Sequence, residues 1–170
     1  MITYNNIIDT FKNIATNHYL LNSFHSGLLD EVDIDKLNLS NYPILYVEPS
    51  TTNIDKGVLT YTFNVYTMSI IKEDLSNREE VWDTMLQVMQ DIIAEFKQNQ
   101  SLQTSGSDSG KKISYVENEI VLNMPVSVEP FTVRFANMLT GWTSNFSIQV
   151  NNPNSLCNVP ANPSDNLPNS

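Results

Sequence analysis

Apolar residues recur at spacings of three and four near the start of the chain. Ile7, Ile8, Phe11, Ile14 and Ala15 share one face if residues 3–16 are helical, and Thr3 has the short hydroxyl side chain of an N-cap. After Asn17 the pattern changes. His18-Tyr19-Leu20-Leu21-Asn22-Ser23-Phe24-His25-Ser26-Gly27 reads as an extended strand ending at a glycine turn, and an acidic stretch follows over residues 30–36. Tyr42-Pro43-Ile44-Leu45-Tyr46-Val47-Glu48-Pro49 is a short apolar run between prolines, which predicts a strand buried on both faces. Residues 50–57 are polar and read as a loop. In residues 58–71, Leu59, Tyr61, Phe63 and Val65 alternate with Thr60, Thr62 and Asn64, so the longest strand should have one dry face and one wetter.

The second half opens on a helix signal. Ser76-Asn77-Arg78-Glu79 has the spacing of a capping box, and Val81, Met85, Val88, Met89, Ile92, Ile93 and Phe96 form an apolar stripe running to about Lys97. Such a helix should lie flat on a sheet. Residues 98–110 are rich in Ser, Gln and Gly and read as a mobile loop. Residues 113–128 read as one long or broken strand interrupted at Pro125, and Pro130 starts the next. Phe131, Val133 and Phe135 alternate with Thr132, Arg134 and Ala136. Trp142, Phe146, Ile148 and Val150 alternate with Thr143, Asn145, Ser147 and Gln149. Residues 130–150 are therefore expected to form a β-hairpin turning at Thr140-Gly141. Beyond them Pro153, Pro160, Pro163 and Pro168 interrupt an asparagine-rich stretch with no period. The division expected is one α+β domain over residues 1–150 and an extended arm over residues 151–170.

Composition narrows the class. The chain has 170 residues, 41% hydrophobic and only 16% charged, and its polarity rests on uncharged side chains such as 22 asparagines. That apolar content suffices for a single core. The net charge of −10 argues against gripping nucleic acid, which needs a basic face. One cysteine excludes an internal disulfide framework and an all-cysteine metal site. The first residues lack the basic and apolar regions of a signal peptide, and no apolar run approaches the roughly 18 residues of a membrane span. The expectation is an acidic domain, soluble and made in the cytosol.

Candidate chemistry is sparse. His18 and His25, seven apart on one extended segment, would point to opposite faces, so structural or surface roles are expected. Asp30, Glu31, Asp33 and Asp35 suggest calcium, but an EF-hand loop starting at Asp33 needs glycine at Asn38 and glutamate at Ile44. Gly106-Ser107-Asp108-Ser109-Gly110-Lys111-Lys112 has three residues between its glycines where a phosphate loop has four, and it precedes a strand where that loop opens a helix. Cys157 has no basic neighbour to activate it. The glycosylation patterns at Asn38, Asn99 and Asn145 carry no weight without a secretory signal. No catalytic, cofactor or metal site is expected.

The order of these elements resembles a known family. A leading helix, His18…Phe24…Gly27, the acidic turn, the run from Tyr42 to Pro49, a long strand and an amphipathic helix are similar to the tail-terminator (tail-completion) proteins of tailed bacteriophages. Glu129-Pro130-Phe131-Thr132-Val133-Arg134-Phe135, Gly141-Trp142 and Cys157-Asn158-Val159-Pro160 resemble small virion proteins of phages infecting Bacteroidetes, the crAss-like phages among them. The resemblance implies an α+β fold with two helices on one side of a mixed, mostly antiparallel sheet. It implies assembly as a six- or twelve-fold ring in the phage neck or tail, with DNA as a non-specific passenger and neck or tail proteins as neighbours. It brings no catalytic residue and no cofactor. Thr52, Asp55, Lys111, Lys112, Leu156, Cys157, Val159 and Leu167 are the positions expected to meet a neighbouring subunit. A negative lumen fits such a ring, because it repels phosphate and lets DNA pass without adhesion. The alternative is a stand-alone α+β binding module or a small enzyme.

Overall fold

The computed structural model describes residues 2–28, 41–98, 120–134 and 138–153. The acidic stretch, the phosphate-loop-like segment, Phe135, Ala136 and nearly all of the arm lie outside the described residues. Helix α1 (Tyr4–Asn17) starts where the sequence places it. Thr3 and Asn6 cap it reciprocally: the Asn6 N–H donates to Thr3 Oγ1 (3.3 Å), and the Thr3 N–H donates to Asn6 Oδ1 (2.8 Å). Its apolar face buries Ile7, Phe11, Ile14 and Ala15.

The expected strand from His18 to Gly27 divides. The His18 N–H closes α1 onto the Ile14 carbonyl, a turn follows, and only β1 (Ser23–Ser26) is extended. The two histidines therefore stand on different elements, and the alternation argument does not apply to them. The cause is Leu21, which is 7% exposed in the core and draws the chain inward before β1 can start.

Strands β2 (Ile44–Asp55) and β3 (Val58–Ile70) are antiparallel, while β1 runs parallel to the first residues of β2. Ile44, Leu45, Tyr46 and Val47 are all wholly buried, as the two-faced reading of that run expects. The polar loop expected over residues 50–57 is a correction: β2 continues to Asp55, which pairs with Val58, and only Lys56 and Gly57 turn. Here the ladder to β3, not burial, holds the strand, so its Thr and Asn residues tolerate solvent on both faces. Gly57 adopts φ +83°, a conformation glycine enters freely in a tight turn.

Helix α2 (Arg78–Gln98) begins two residues after Ser76, which corrects the expected capping box. Its first turn is closed by the Val81 N–H on the Asn77 carbonyl (3.1 Å). Residues 75–77 belong to a preceding turn, in which the Ser76 N–H donates to Asp74 Oδ1 (3.1 Å). These bonds from Ser76 hold the Asp74 carboxyl below its ordinary range. The stripe itself is as expected, with Met85, Val88, Met89, Ile92 and Phe96 buried.

The last strands are β4 (Ile120–Leu122), β5 (Val128–Arg134) and β6 (Met138–Asn151). The break between β4 and β5 falls around Pro125, as expected, but Pro130 does not open a strand. β5 starts at Val128, and Pro130 pairs within it, opposite Trp142. Both strands pair with β6, at opposite halves of its length. The sheet order is β1-β2-β3-β6-β4, with β5 beside β6. The hairpin of residues 130–150 exists, but it does not turn at Thr140-Gly141. Thr140 and Gly141 lie inside β6, and the chain reverses between Arg134 and Met138. Gly141 is glycine for a different reason: a Cβ there would sit 1.8 Å from the Thr67 carbonyl oxygen of β3.

The result is an α+β fold with a six-stranded, mostly antiparallel curled sheet. Both helices share one core with Leu45, Val47, Phe63, Val65, Phe146 and Ile148 on one sheet face. On the other face Ile44, Tyr46, Met68 and Leu139 form a second, smaller cluster with Tyr66 and Phe131. The indole of Trp82 donates to Thr140 Oγ1 (2.7 Å) and that of Trp142 to the Trp82 carbonyl (2.8 Å), fixing α2 onto β6.

Candidate functional site

Three places bring polar or unpaired groups together. The first is a cleft of about 500 Å³ between the end of α1 and the outer side of α2, lined by Thr10, Asn13, Asn17, His18, Asp91 and Glu95 among others. His18 Nδ1 accepts the Leu20 N–H (3.2 Å), so the ring proton sits on Nε2 and is donated to Asp91 Oδ2 (3.1 Å). Tyr19, 79% exposed, stacks on the imidazole with centroids 5.4 Å apart. This pair ties the C-terminus of α1 to α2, the structural role expected for His18. Among the described residues its chemistry is an imidazole beside a carboxylate, and the Thr10 hydroxyl is engaged by the Asn6 carbonyl (2.8 Å). Among the described residues no group of three or more His, Cys, Asp or Glu is placed to hold a metal ion.

The second is a polar row on the sheet face away from the helices. Glu48, Asn64 and Asn145 are cross-strand neighbours on β2, β3 and β6. The Asn64 amide donates to Glu48 Oε2 (3.2 Å), the Tyr66 hydroxyl to the same oxygen (3.4 Å), and the Asn145 amide to Asn64 Oδ1 (3.1 Å). Burial first, and then the charge of Glu48, push the Tyr66 phenol above its ordinary range, against a smaller opposing effect of its bond to Thr143. The row orders the sheet surface and offers no free acid or base.

The third is the far end of the β2–β3 ribbon. β1 pairs with β2 over Ile44–Val47, so further along, among the described residues, β2 has β3 on one side and no strand on the other. Residues 50–55 are exposed throughout, and Ile54 is 73% exposed. In the register of the ribbon Ile54 lies beside Leu59 and Thr52 beside Tyr61, on the face that the helices cover elsewhere. Val58 and Tyr4, both also exposed, flank the same end.

Of the expected subunit contacts, Thr52 and Asp55 fall on this open edge. Lys111, Lys112, Leu156, Cys157, Val159 and Leu167 lie outside the described residues, as do Asp30, Glu31, Asp33 and Asp35. Sequence reading missed Asp91, Glu95 and Glu48. Asp91 stands 73 residues from His18, and nothing local marks it as the histidine's partner. The edge carries one local signal: Thr51, Thr52 and Ile54 are β-branched and suit a strand. No helix of the described residues is long and apolar enough to cross a membrane. No protein-family model matches the chain, and no curated protein matches it.

Proposed function

We propose that this chain is a structural subunit of a tailed-phage virion, one copy of a six- or twelve-fold ring in the neck or tail through which DNA passes. The open edge of β2 carries the reading. Soluble domains guard such edges with charge, proline or cover, because unpaired N–H and C=O groups recruit further strands. Here Pro49 and a register shift between Pro49 and Thr52 guard the root of the edge, but residues 52–54 beyond them have no charge and no proline, and Ile54 adds an exposed apolar side chain. A surface of this kind is explained by a subunit that docks on it. The element order similar to tail terminators and the α+β architecture support the same reading, and a net charge of −10 per copy suits a lumen that repels DNA. Assembly in the cytoplasm of a host bacterium, neighbouring neck or tail proteins, and the absence of any catalytic role or cofactor belong to this proposal. Mass photometry and electron microscopy of purified protein test it. Rings of uniform size are expected, and a monomer at micromolar concentration would overturn it.

One observation favours a second reading. The cleft beside His18 and Asp91 could take a small polar ligand, making the chain a binding module or small enzyme. Under that reading a small ligand would raise the melting temperature of the wild type and not of His18→Ala, while the protein stayed monomeric.

A further inference from the structure

We infer that the cleft between α1 and α2 binds a guanidinium group, such as that of arginine. The inference rests on the cleft reading given above and is independent of the ring. At about 500 Å³ the cleft falls in the size range of small-molecule sites. Its walls are electronegative on both sides. α2 contributes Asp91 and Glu95, four residues apart and so neighbours on one helix surface, where like charges repel and a cation between them is favoured. α1 contributes Asn13 and Asn17, again four apart and both exposed, whose amide oxygens are further acceptors. The C-terminal end of α1 opens on the cleft, and no basic residue in its last turn offsets the negative end of the helix dipole. Among the described residues no lysine or arginine lines the cleft.

Tyr19 decides which cation fits. Its ring is largely exposed, yet it is held parallel to the His18 imidazole, at an interplanar angle of 6°. His18 is fixed in turn by its bonds to the Leu20 N–H and to Asp91, so one imidazole sets both an aromatic ring and a carboxylate in place. Asp91 gives one oxygen to His18, and its side chain stays 44% exposed, within reach of a ligand. A flat ring beside a carboxylate suits a flat cation. Guanidinium stacks on aromatic faces, is weakly hydrated and points five N–H donors outward in its plane, which matches the acceptors of the two helices. An ammonium ion is compact and strongly hydrated, with three donors. A metal ion finds too few ligands, because among the described residues no group of three or more His, Cys, Asp or Glu is placed to hold one.

Isothermal titration calorimetry of the full chain tests this with butylguanidine, butylamine, butylurea and a blocked tripeptide with arginine between two glycines. Butylurea keeps the flat shape without the charge. Butylguanidine is expected to bind, and butylurea and butylamine about tenfold more weakly or not at all. Asp91→Asn, which keeps an acceptor for His18, should weaken butylguanidine binding about tenfold, the loss of one hydrogen bond to a charged group. Tyr19→Ser should weaken it about two- to fivefold, and at so exposed a position it leaves the fold intact where Asp91→Asn does not. Tighter binding of the peptide than of butylguanidine would uphold the site and assign it to an arginine of a partner protein; equal binding would uphold it for a free guanidinium compound. Equal affinity for butylurea and butylguanidine would overturn the cation and leave the cleft reading standing. Butylamine binding as tightly as butylguanidine would overturn the guanidinium, and butylguanidine binding unchanged in both variants would overturn the site. Absence of binding by every probe would overturn the inference, whereas the cleft reading falls separately, when no ligand raises the melting temperature of the wild type.

Discussion

The two ends of strand β2 belong to one ladder and have opposite fates. At its root, Ile44 to Val47 are wholly buried, enclosed by the helical core on one face and by the second apolar cluster on the other. At its far end, after a register shift between Pro49 and Thr52, residues 52–55 resume antiparallel pairing with β3 and are exposed on both faces. Backbone hydrogen bonding is common to both, so it does not distinguish them. Apolar burial does, at roughly 25 cal/mol per Å². Burial stabilises the root, and the far end is surface held in strand form by its ladder to β3.

Substitutions should separate the two ends sharply. The largest effect is expected at Ile92, wholly buried on the α2 stripe in the core that Leu45 and Val47 of the root share. Ile92→Ala should lower unfolding free energy by about 2–5 kcal/mol, and Ile92→Asp should leave no folded protein by circular dichroism. A folded, soluble Ile92→Asp would show that the stripe is not core. Next comes Gly141, where an added methyl group must push β6 off the β3 backbone. Gly141→Ala should cost about 1–3 kcal/mol in chemical denaturation, the range for overpacking, and an unchanged midpoint would remove the close approach as its explanation. The smallest effect on stability is expected at the far end. Ile54→Ser should alter the free subunit by no more than about 0.5 kcal/mol while reducing assembly. Loss of stability comparable to that of Ile92→Ala would erase the distinction between the two ends.

The periodicities of the chain determined a good deal by themselves. The stripes of α1 and α2, the cap at Thr3, the buried run at Ile44 to Val47 and the break around Pro125 were all legible, because each depends on residues close in sequence. Tertiary structure decided the rest. Residues 50–55 look like a loop until β3 is seen beside them, since a strand exposed on both faces has no apolar period to show. Gly141 looks like a turn until the Thr67 carbonyl is found where its Cβ would be. Ser76 has the spacing of a cap, yet the turn before α2 delays the helix to Arg78. His18 acquires its meaning only when packing brings Asp91 to 3.1 Å. Local rules act through neighbours along the chain, whereas an edge, a close approach and an ion pair are set by which segments fold against each other.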